Sequence, residues 1–384
     1  MSVTQEQGTS ARCSGIKERA GMARHEAGVQ QGVVCCHNEW DPLEEVIVGT
    51  AEGAAVPSWH VSLKATMPER HWPFFQQNGG RPFDKGLLAL ANRELDEFAA
   101  RLRAEGVIVR RPQPVDFSRP YSTPSWSSAC GLYAAMPRDL LLVIGNEIIE
   151  TPSAWRSRYF EMDAYRALLK EYFAQGAMWS AAPKPQLLDE LYDQEYEVAA
   201  EGEPMRYVVN NFEPVFDAAD FVRCGTDIFY IKSHVTNEMG VSWLQRHLGP
   251  RYTLHELVCR DTKPMHIDTT FLPLAPGRLL VNPERFAGLP KVLENWEVLK
   301  AAPPCSPDDL ELYFSGKWLS MNIFSIDEER VFVEEGEEHL IRALKDWGFR
   351  PIPCPFRNFY RLGGSFHCAT LDIRRCGPLR TYRL

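Results

Sequence analysis

Two patterns of apolar positions alternate along this chain of 384 residues: a helical stripe that stops at a glycine, and a short apolar run after it. The clearest case begins at Asp84, a good N-capping residue. Leu88, Ala91, Leu95, Phe98 and Leu102 follow at three- and four-residue intervals, and Gly106 ends the stripe. Residues 107–109 then read as a buried strand, closed by Pro112. The same order predicts a helix over 163–175 before Gly176, and one over 241–248 before Gly249 and a strand over 252–258. It also predicts a helix over 337–347 before Gly348 and a strand over 349–352. Apolar runs at 45–48, 140–144, 279–281 and 331–333 read as further buried strands, and 51–83, rich in Pro, Gly and aromatics without periodicity, as a packed loop. Alternating helices and strands with no Pro/Ser-rich linker imply one α/β domain over 37–384, with helices outside buried strands. The pattern does not separate a doubly wound sheet from a closed ring. Residues 1–36 read as a flexible tail. They lack the apolar core of a secretory signal, and Glu6, Glu18 and Glu26 oppose a mitochondrial presequence.

Composition narrows the classes of function. Lys and Arg number 42 against 51 Asp and Glu, a net charge of −9 that disfavours broad binding to nucleic acid or anionic membranes. No apolar run approaches the length of a transmembrane helix. The ten cysteines form no C-x-x-C pair, so free thiols in a reducing, cytoplasmic setting are expected. Cys35, Cys36 and His37 resemble a fragment of a metal site, but no second ligand cluster completes it, and no metal is expected. Gly363-Gly364 runs into Ser365, Phe366 and His367 rather than a phosphate-binding loop, and no G-x-G-x-x-G follows a strand. No cofactor is expected.

Three segments carry candidate chemistry. In residues 362–375 (LGGSFHCATLDIRR), two glycines permit close backbone approach ahead of His367 and Cys368. On a strand those neighbours point to opposite faces, so a base for Cys368 has to come from elsewhere; the alternative is a buried structural cysteine. In residues 264–268 (PMHID), His266 and Asp268 share a face if the segment is a strand. They offer a proton carrier beside a carboxylate, or an Asp that only fixes the His tautomer. In residues 213–220 (EPVFDAAD), Asp217 and Asp220 lie among apolar residues, as does Asp139 before 140–144. Buried carboxylates need a partner or a cationic ligand, although a capping role would serve too. One thiol, one imidazole and several inward carboxylates fit attack on a planar cation, and guanidinium matches carboxylates bidentately.

These residues stand in ordered blocks that resemble the arginine amidinotransferases, typified by L-arginine:glycine amidinotransferase. The blocks are NEWDPLEEVIVG (38–49), MPRD and GNEIIE (136–150), APKP (182–185), FEPVFDAAD (212–220), PMHID, NPER (282–285), KWLSMN (317–322) and FHC (366–368). The resemblance implies a five-bladed α/β-propeller of the pentein type, with ββαβ modules around a central channel. It also implies that Cys368 is the nucleophile that becomes amidinated, His266 the general acid and base, and Asp217 the third catalytic group. Asp139 and Asp268 fall on guanidinium-binding carboxylates, Arg285 on the residue that pairs with the donor's α-carboxylate, and Ser315 on the first of two substrate-binding serines. The implied reaction is ping-pong transfer of the amidino group of L-arginine to an amine, with ornithine released and no cofactor. The resemblance also allows a homodimer.

Two departures bear on the acceptor. Gly316 replaces the second serine, and Lys263 stands where glycine-using members carry Asn, although Met265 matches them. DFVRCG (220–225), SHVTN (233–237) and FHCATLD (366–372) look closer to bacterial members acting on larger amines, including the saxitoxin-pathway branch. Lys263 either favours an acceptor with an extra acidic group or is a solvated surface charge. Glycine is the expected acceptor, with a larger amine of secondary metabolism as the alternative. A guanidine hydrolase such as an arginine deiminase and an inactive binding protein are the remaining readings.

Overall fold

The Asp84 carboxylate accepts the Leu87 N–H, and the helix it caps, Lys85–Ala104, buries Leu87, Ala91, Leu95, Phe98 and Leu102. Leu88, expected on this stripe, is half-buried and packs against the same core, with Leu87 flanking the stripe on its other side. Gly106, at φ +93°, reverses the chain, and Ile108–Arg110 returns parallel to the strand Leu43–Val48. That returning strand is an outer edge and not buried as expected; Ile108 is 52% exposed. This computed structural model describes residues 32–200, 203–305 and 316–383.

The same unit occurs five times. Leu141–Ile144 pairs antiparallel with Glu147–Glu150, which pairs parallel with Met178–Ala181 after the helix Arg166–Ala174. Phe221–Cys224, Asp227–Tyr230 and Thr253–Glu256 repeat the order around the helix Glu238–Leu248. Phe324–Ser325, Arg330–Glu334 and Arg350–Cys354 repeat it around Glu338–Asp346. Phe271–Ala275, Arg278–Val281 and Glu297–Lys300 do so with only the 3₁₀ turn Lys291–Leu293 in the crossover. The remaining sheet is completed from the far end of the sequence: Thr370–Arg375 runs antiparallel to Leu43–Val48. Five three-stranded sheets of ββαβ type result.

A helical turn precedes the first strand of each unit: Pro137–Leu140, Ala218–Asp220, Ile267–Thr269, Lys317–Met321 and the turn at 366–369. These turns are tied to one another. The His266 N–H donates to Asp220, the Cys368 N–H to Asn322, and Arg138 Nε to the His367 carbonyl. All five therefore face one centre, and they carry most of the candidate chemistry.

Several expectations need correction. Residues 51–83 hold the helices Val61–Thr66 and Trp72–Asn78, each too short to show periodicity. The expected helix over 163–175 begins as the 3₁₀ segment Glu161–Tyr165, and the one over 241–248 begins earlier, at an Asn237 cap. Residues 33–36 pack on the domain ahead of the expected boundary at 37: the Cys35 N–H reaches Ile373 O at 3.0 Å and the Cys36 N–H reaches Gly145 O at 2.9 Å.

Candidate active site

Cys368 lies in the turn just before Thr370–Arg375, not on the strand itself. Gly364 makes that turn possible, because a Cβ there would stand 2.3 Å from Met136 Sδ and 3.0 Å from Cys368 Cβ. The sulfur meets an amide clamp. Asn322 Nδ2 donates to Sγ at 3.1 Å while Asn322 Oδ1 accepts the Cys368 N–H at 3.1 Å. The thiol donates in turn to Asp268 Oδ2 at 3.4 Å. Burial, then the charge of Asp268, pushes the thiol up to about 12, with His266 acting the other way.

His266 is likewise in a turn and not in the strand expected over 264–268. Its φ of +62° belongs to the left-handed region, which costs a non-glycine residue about 1–3 kcal/mol unless its surroundings enforce it. Asp220 does the enforcing, accepting the His266 N–H at 2.9 Å while Ser233 and Thr236 hold its other oxygen. The two carboxylates of EPVFDAAD thus divide: Asp220 fixes the backbone, and Asp217 Oδ2 meets His266 Nε2 at 3.2 Å. On the other side of the ring, His266 Nδ1 lies 3.6 Å from Asp139 Oδ1. Burial opposes the imidazolium, but Asp139, Asp217 and Cys368 outweigh it and hold His266 well above its ordinary value.

Asp139, His266 and Cys368 bring one polar atom each to within 4.8 Å of one another. Cys35, Cys36 and His37 form no comparable set among the described residues; Cys36 Sγ instead meets Arg223 at 2.6 Å. Asp139 Oδ1, Asp217 Oδ1 and Asp268 Oδ1 are all buried without a hydrogen-bond partner. Of these, Asp139 and Asp268 line the same cavity as Cys368, and carboxylate oxygens with spare accepting capacity there suit a planar cation with several N–H donors.

The floor beneath is charged and buried. His367 turns away from Cys368, donating from Nδ1 to Asp268 at 2.9 Å, with Nε2 3.4 Å from Glu39. Glu39 and Asp372 are knitted to Arg138, Arg223 and Arg375. Burial alone would raise Asp268, yet His367, His266 and Arg138 leave it below its usual range.

A cavity of about 360 Å³ opens over these groups. Arg285 lines it and pairs through Nε with Asp261 at 2.9 Å, while Nη1 donates to Thr269 at 2.9 Å. Lys263 and Met265 line the same cavity. Lys263 is not freely solvated: Nζ donates to the Met67 carbonyl at 3.2 Å and sits 5.5 Å over the Trp72 ring. Gly316 lies beside Arg285, where an added Cβ would come within 3.3 Å of Nη2. Ser315 falls outside the described residues.

No family model matches the chain. It is 52% identical over 361 residues to the L-arginine:L-lysine amidinotransferase of Pseudomonas savastanoi pv. phaseolicola, spanning 94% of this chain and 99% of that protein. The chain belongs to the amidinotransferase family. It is also 49% identical over 362 residues to the mitochondrial glycine amidinotransferase of Danio rerio, spanning 91% of this chain and 85% of the relative. SxtG, an amidinotransferase from Microseira wollei in the saxitoxin biosynthetic pathway, superposes with a TM-score of 0.89 at 52% identity, over 91% of this chain and 99% of that one. DDAH from Pseudomonas aeruginosa, at 15% identity and a TM-score of 0.52, shares the pentein fold alone. As an amidinotransferase the protein transfers the amidino group of arginine to an amine. No described helix is long and apolar enough to cross a membrane, and the nine described cysteines are all free thiols.

Three residues of this amidinotransferase site escaped sequence reasoning. Arg158 is buried between Asp139, at 2.7 Å, and a bidentate contact with Glu161. Asn322 and Asp261 are the others. Asn322 closes the quoted KWLSMN block, and Asp261 stands just ahead of PMHID, so both were in reach. In RSRYFEMD, Arg158 looks like any surface arginine.

Proposed function

We propose that this amidinotransferase carries the amidino group on Cys368 between two amines, first ornithine and then L-lysine. The observation that supports this is that Asp139 and Asp268, each with a buried oxygen that takes no hydrogen bond, line one cavity with Cys368. A bound guanidinium places its N–H donors on Asp139 and Asp268 and its carbon over Sγ. Its positive charge opposes the burial that keeps the thiol protonated, so thiolate forms as substrate arrives. The thiolate attacks the guanidino carbon to give a tetrahedral adduct. The C–N bond to the side chain breaks as His266, held as imidazolium by Asp139 and Asp217, gives its proton to the departing nitrogen. Ornithine leaves, and Cys368 bears the amidino group. The second amine gives a proton to His266, attacks the same carbon, and expels the thiolate.

Lysine is the acceptor the cavity supports best. It shares the amino-acid end of ornithine and adds one methylene, so the second half-reaction reuses the contacts of the first at Arg285 and runs it backwards. Sequence likeness to the arginine:lysine enzyme points the same way. Glycine is the second reading, favoured by Met265 on the cavity wall, which matches glycine-using members, and by the 49% identity to a glycine amidinotransferase. The test is intact mass after incubation with arginine alone, followed by single amines. An amidino adduct on Cys368, absent in Cys368→Ala and discharged by lysine faster than by glycine, is the expected result. Faster discharge by glycine, or by a larger amine alone, moves the acceptor. Citrulline without any added amine makes water the acceptor.

A further inference from the structure

We infer that Asp261 is a binding site for the α-ammonium group of the substrates, so that the cavity mouth reads an amino-acid zwitterion and not a carboxylate alone. The inference rests on the arginine site proposed above and adds a ligand contact to it. Arg285 presents three edges. Nε is taken by Asp261 and Nη1 by Thr269. Nη2 lies beside Gly316 and makes no hydrogen bond among the described residues, so a ligand carboxylate is assigned to that edge. Asp261 lines the same cavity, with one oxygen on the Lys263 N–H at 3.0 Å and the other on Arg285. A carboxylate oxygen can accept more than one donor, so both retain capacity.

The electrostatics decide between a binding and a purely structural role. A carboxylate placed against Arg285 weakens its pull on any ligand that brings only negative charge. A ligand carrying an ammonium on the carbon that bears its carboxylate recovers the loss, because each charge then meets its opposite. Orienting Arg285 does not by itself require Asp261, since Thr269 already holds Nη1 and Asn282 Oδ1 accepts the Arg285 N–H at 3.3 Å. The site also separates acceptors. Lysine attacks through its side-chain amine and leaves its α-ammonium for Asp261; glycine attacks through its only amine and has none to offer.

The experiment is calorimetric binding to Cys368→Ala protein of three probes: L-arginine, 5-guanidinopentanoate, which lacks only the α-amino group, and agmatine, which lacks only the carboxylate. With Asp261 present, arginine binds about tenfold to a hundredfold more tightly than 5-guanidinopentanoate, the range for one charge-assisted hydrogen bond. Asp261→Asn erases that advantage, weakening arginine while 5-guanidinopentanoate binds as well as before or more tightly, because the carboxylate that competed for Arg285 is neutral. Agmatine loses affinity in Asp261→Asn as arginine does, since it keeps the ammonium. Equal affinity of arginine and 5-guanidinopentanoate with Asp261 intact overturns the inference, and that comparison needs no substitution at Asp261. Equal loss of both probes in Asp261→Asn assigns Asp261 to holding Arg285 instead. Ornithine release from arginine by unmodified protein with lysine present tests the underlying transfer reading separately.

Discussion

Asn322→Ala isolates what the amide clamp does for Cys368. The substitution removes an N–H donor 3.1 Å from a buried sulfur, a bond that strengthens when the thiol becomes thiolate. Hydrogen bonds to charged groups contribute about 1.5–3 kcal/mol, so losing this one lowers the thiolate fraction roughly tenfold to a hundredfold. Because the thiol already stands at about 12, the alkylation rate at any working pH falls with the thiolate fraction. A more basic thiolate is intrinsically more reactive, with a Brønsted coefficient of about 0.4–0.5, so the net slowing is roughly 4- to 20-fold. The assay is the second-order rate of iodoacetamide modification of the Cys368 peptide, resolved by mass spectrometry from the other cysteines. Asn322→Ala also strips the Cys368 N–H of its acceptor, costing about 1–3 kcal/mol of stability. Asn322→Asp retains that acceptor but not the donor, so its alkylation also slows while its unfolding midpoint suffers less. A folded Asn322→Ala protein that alkylates as fast as the parent would falsify the assignment.

Three further outcomes follow from buried charge and from the cavity mouth. Arg158→Gln leaves Asp139 and Glu161 without their cation, at a cost of about 3–5 kcal/mol in urea unfolding. Replacing Glu161 as well, by Leu with Met at 158, recovers much of that stability but not arginine affinity; recovery of both would free Arg158 from any part in positioning Asp139. Burial raises Glu161 and Asp220 to about 7 from ordinary values of 4.5 and 3.8. The folded chain therefore binds those protons more tightly than the unfolded one, and stability falls as pH rises from about 4 to about 7. Urea midpoints at about pH 5 and about pH 8 check this, the higher pH giving the lower midpoint; the reverse order contradicts it. Gly316→Ser places a hydroxyl beside Arg285 Nη2 and lowers the arginine KM about two- to tenfold through one added hydrogen bond. A rise in KM would mean that crowding of Arg285, with a Cβ at 3.3 Å, outweighs the new donor.

The four longer helices were legible because each buries one stripe and is followed by a glycine, two signals that do not depend on distant partners. The strands were harder. Phe221–Cys224 is buried along its whole length, Arg223 included, so neither alternation nor an apolar run marks it. Arg223 is tolerated there only because Glu39 and Asp372, remote in sequence, neutralise it. The same dependence hid Arg158. For the site, the residue types pointed to a thiol and a cation, but the assignments of His266, Asp217 and Arg285 came from resemblance. Strand geometry was the frame in which His266 with Asp268 and His367 with Cys368 were weighed, and both pairs lie in turns. A left-handed His266 cannot be read from PMHID, since the carboxylate that enforces it is Asp220, in another module.

The pairing of Thr370–Arg375 with Leu43–Val48 sets an order of events during synthesis. The other four modules lie wholly ahead of this strand in sequence, while the first lacks its buried edge strand until the end, and Cys368 stands just ahead of the segment that supplies it. Asp139, Asp217 and His266 all precede Cys368 in the chain, and the strand that completes the first sheet also brings the sulfur to them: Arg138, next to Asp139, is held by the His367 carbonyl and by Asp372.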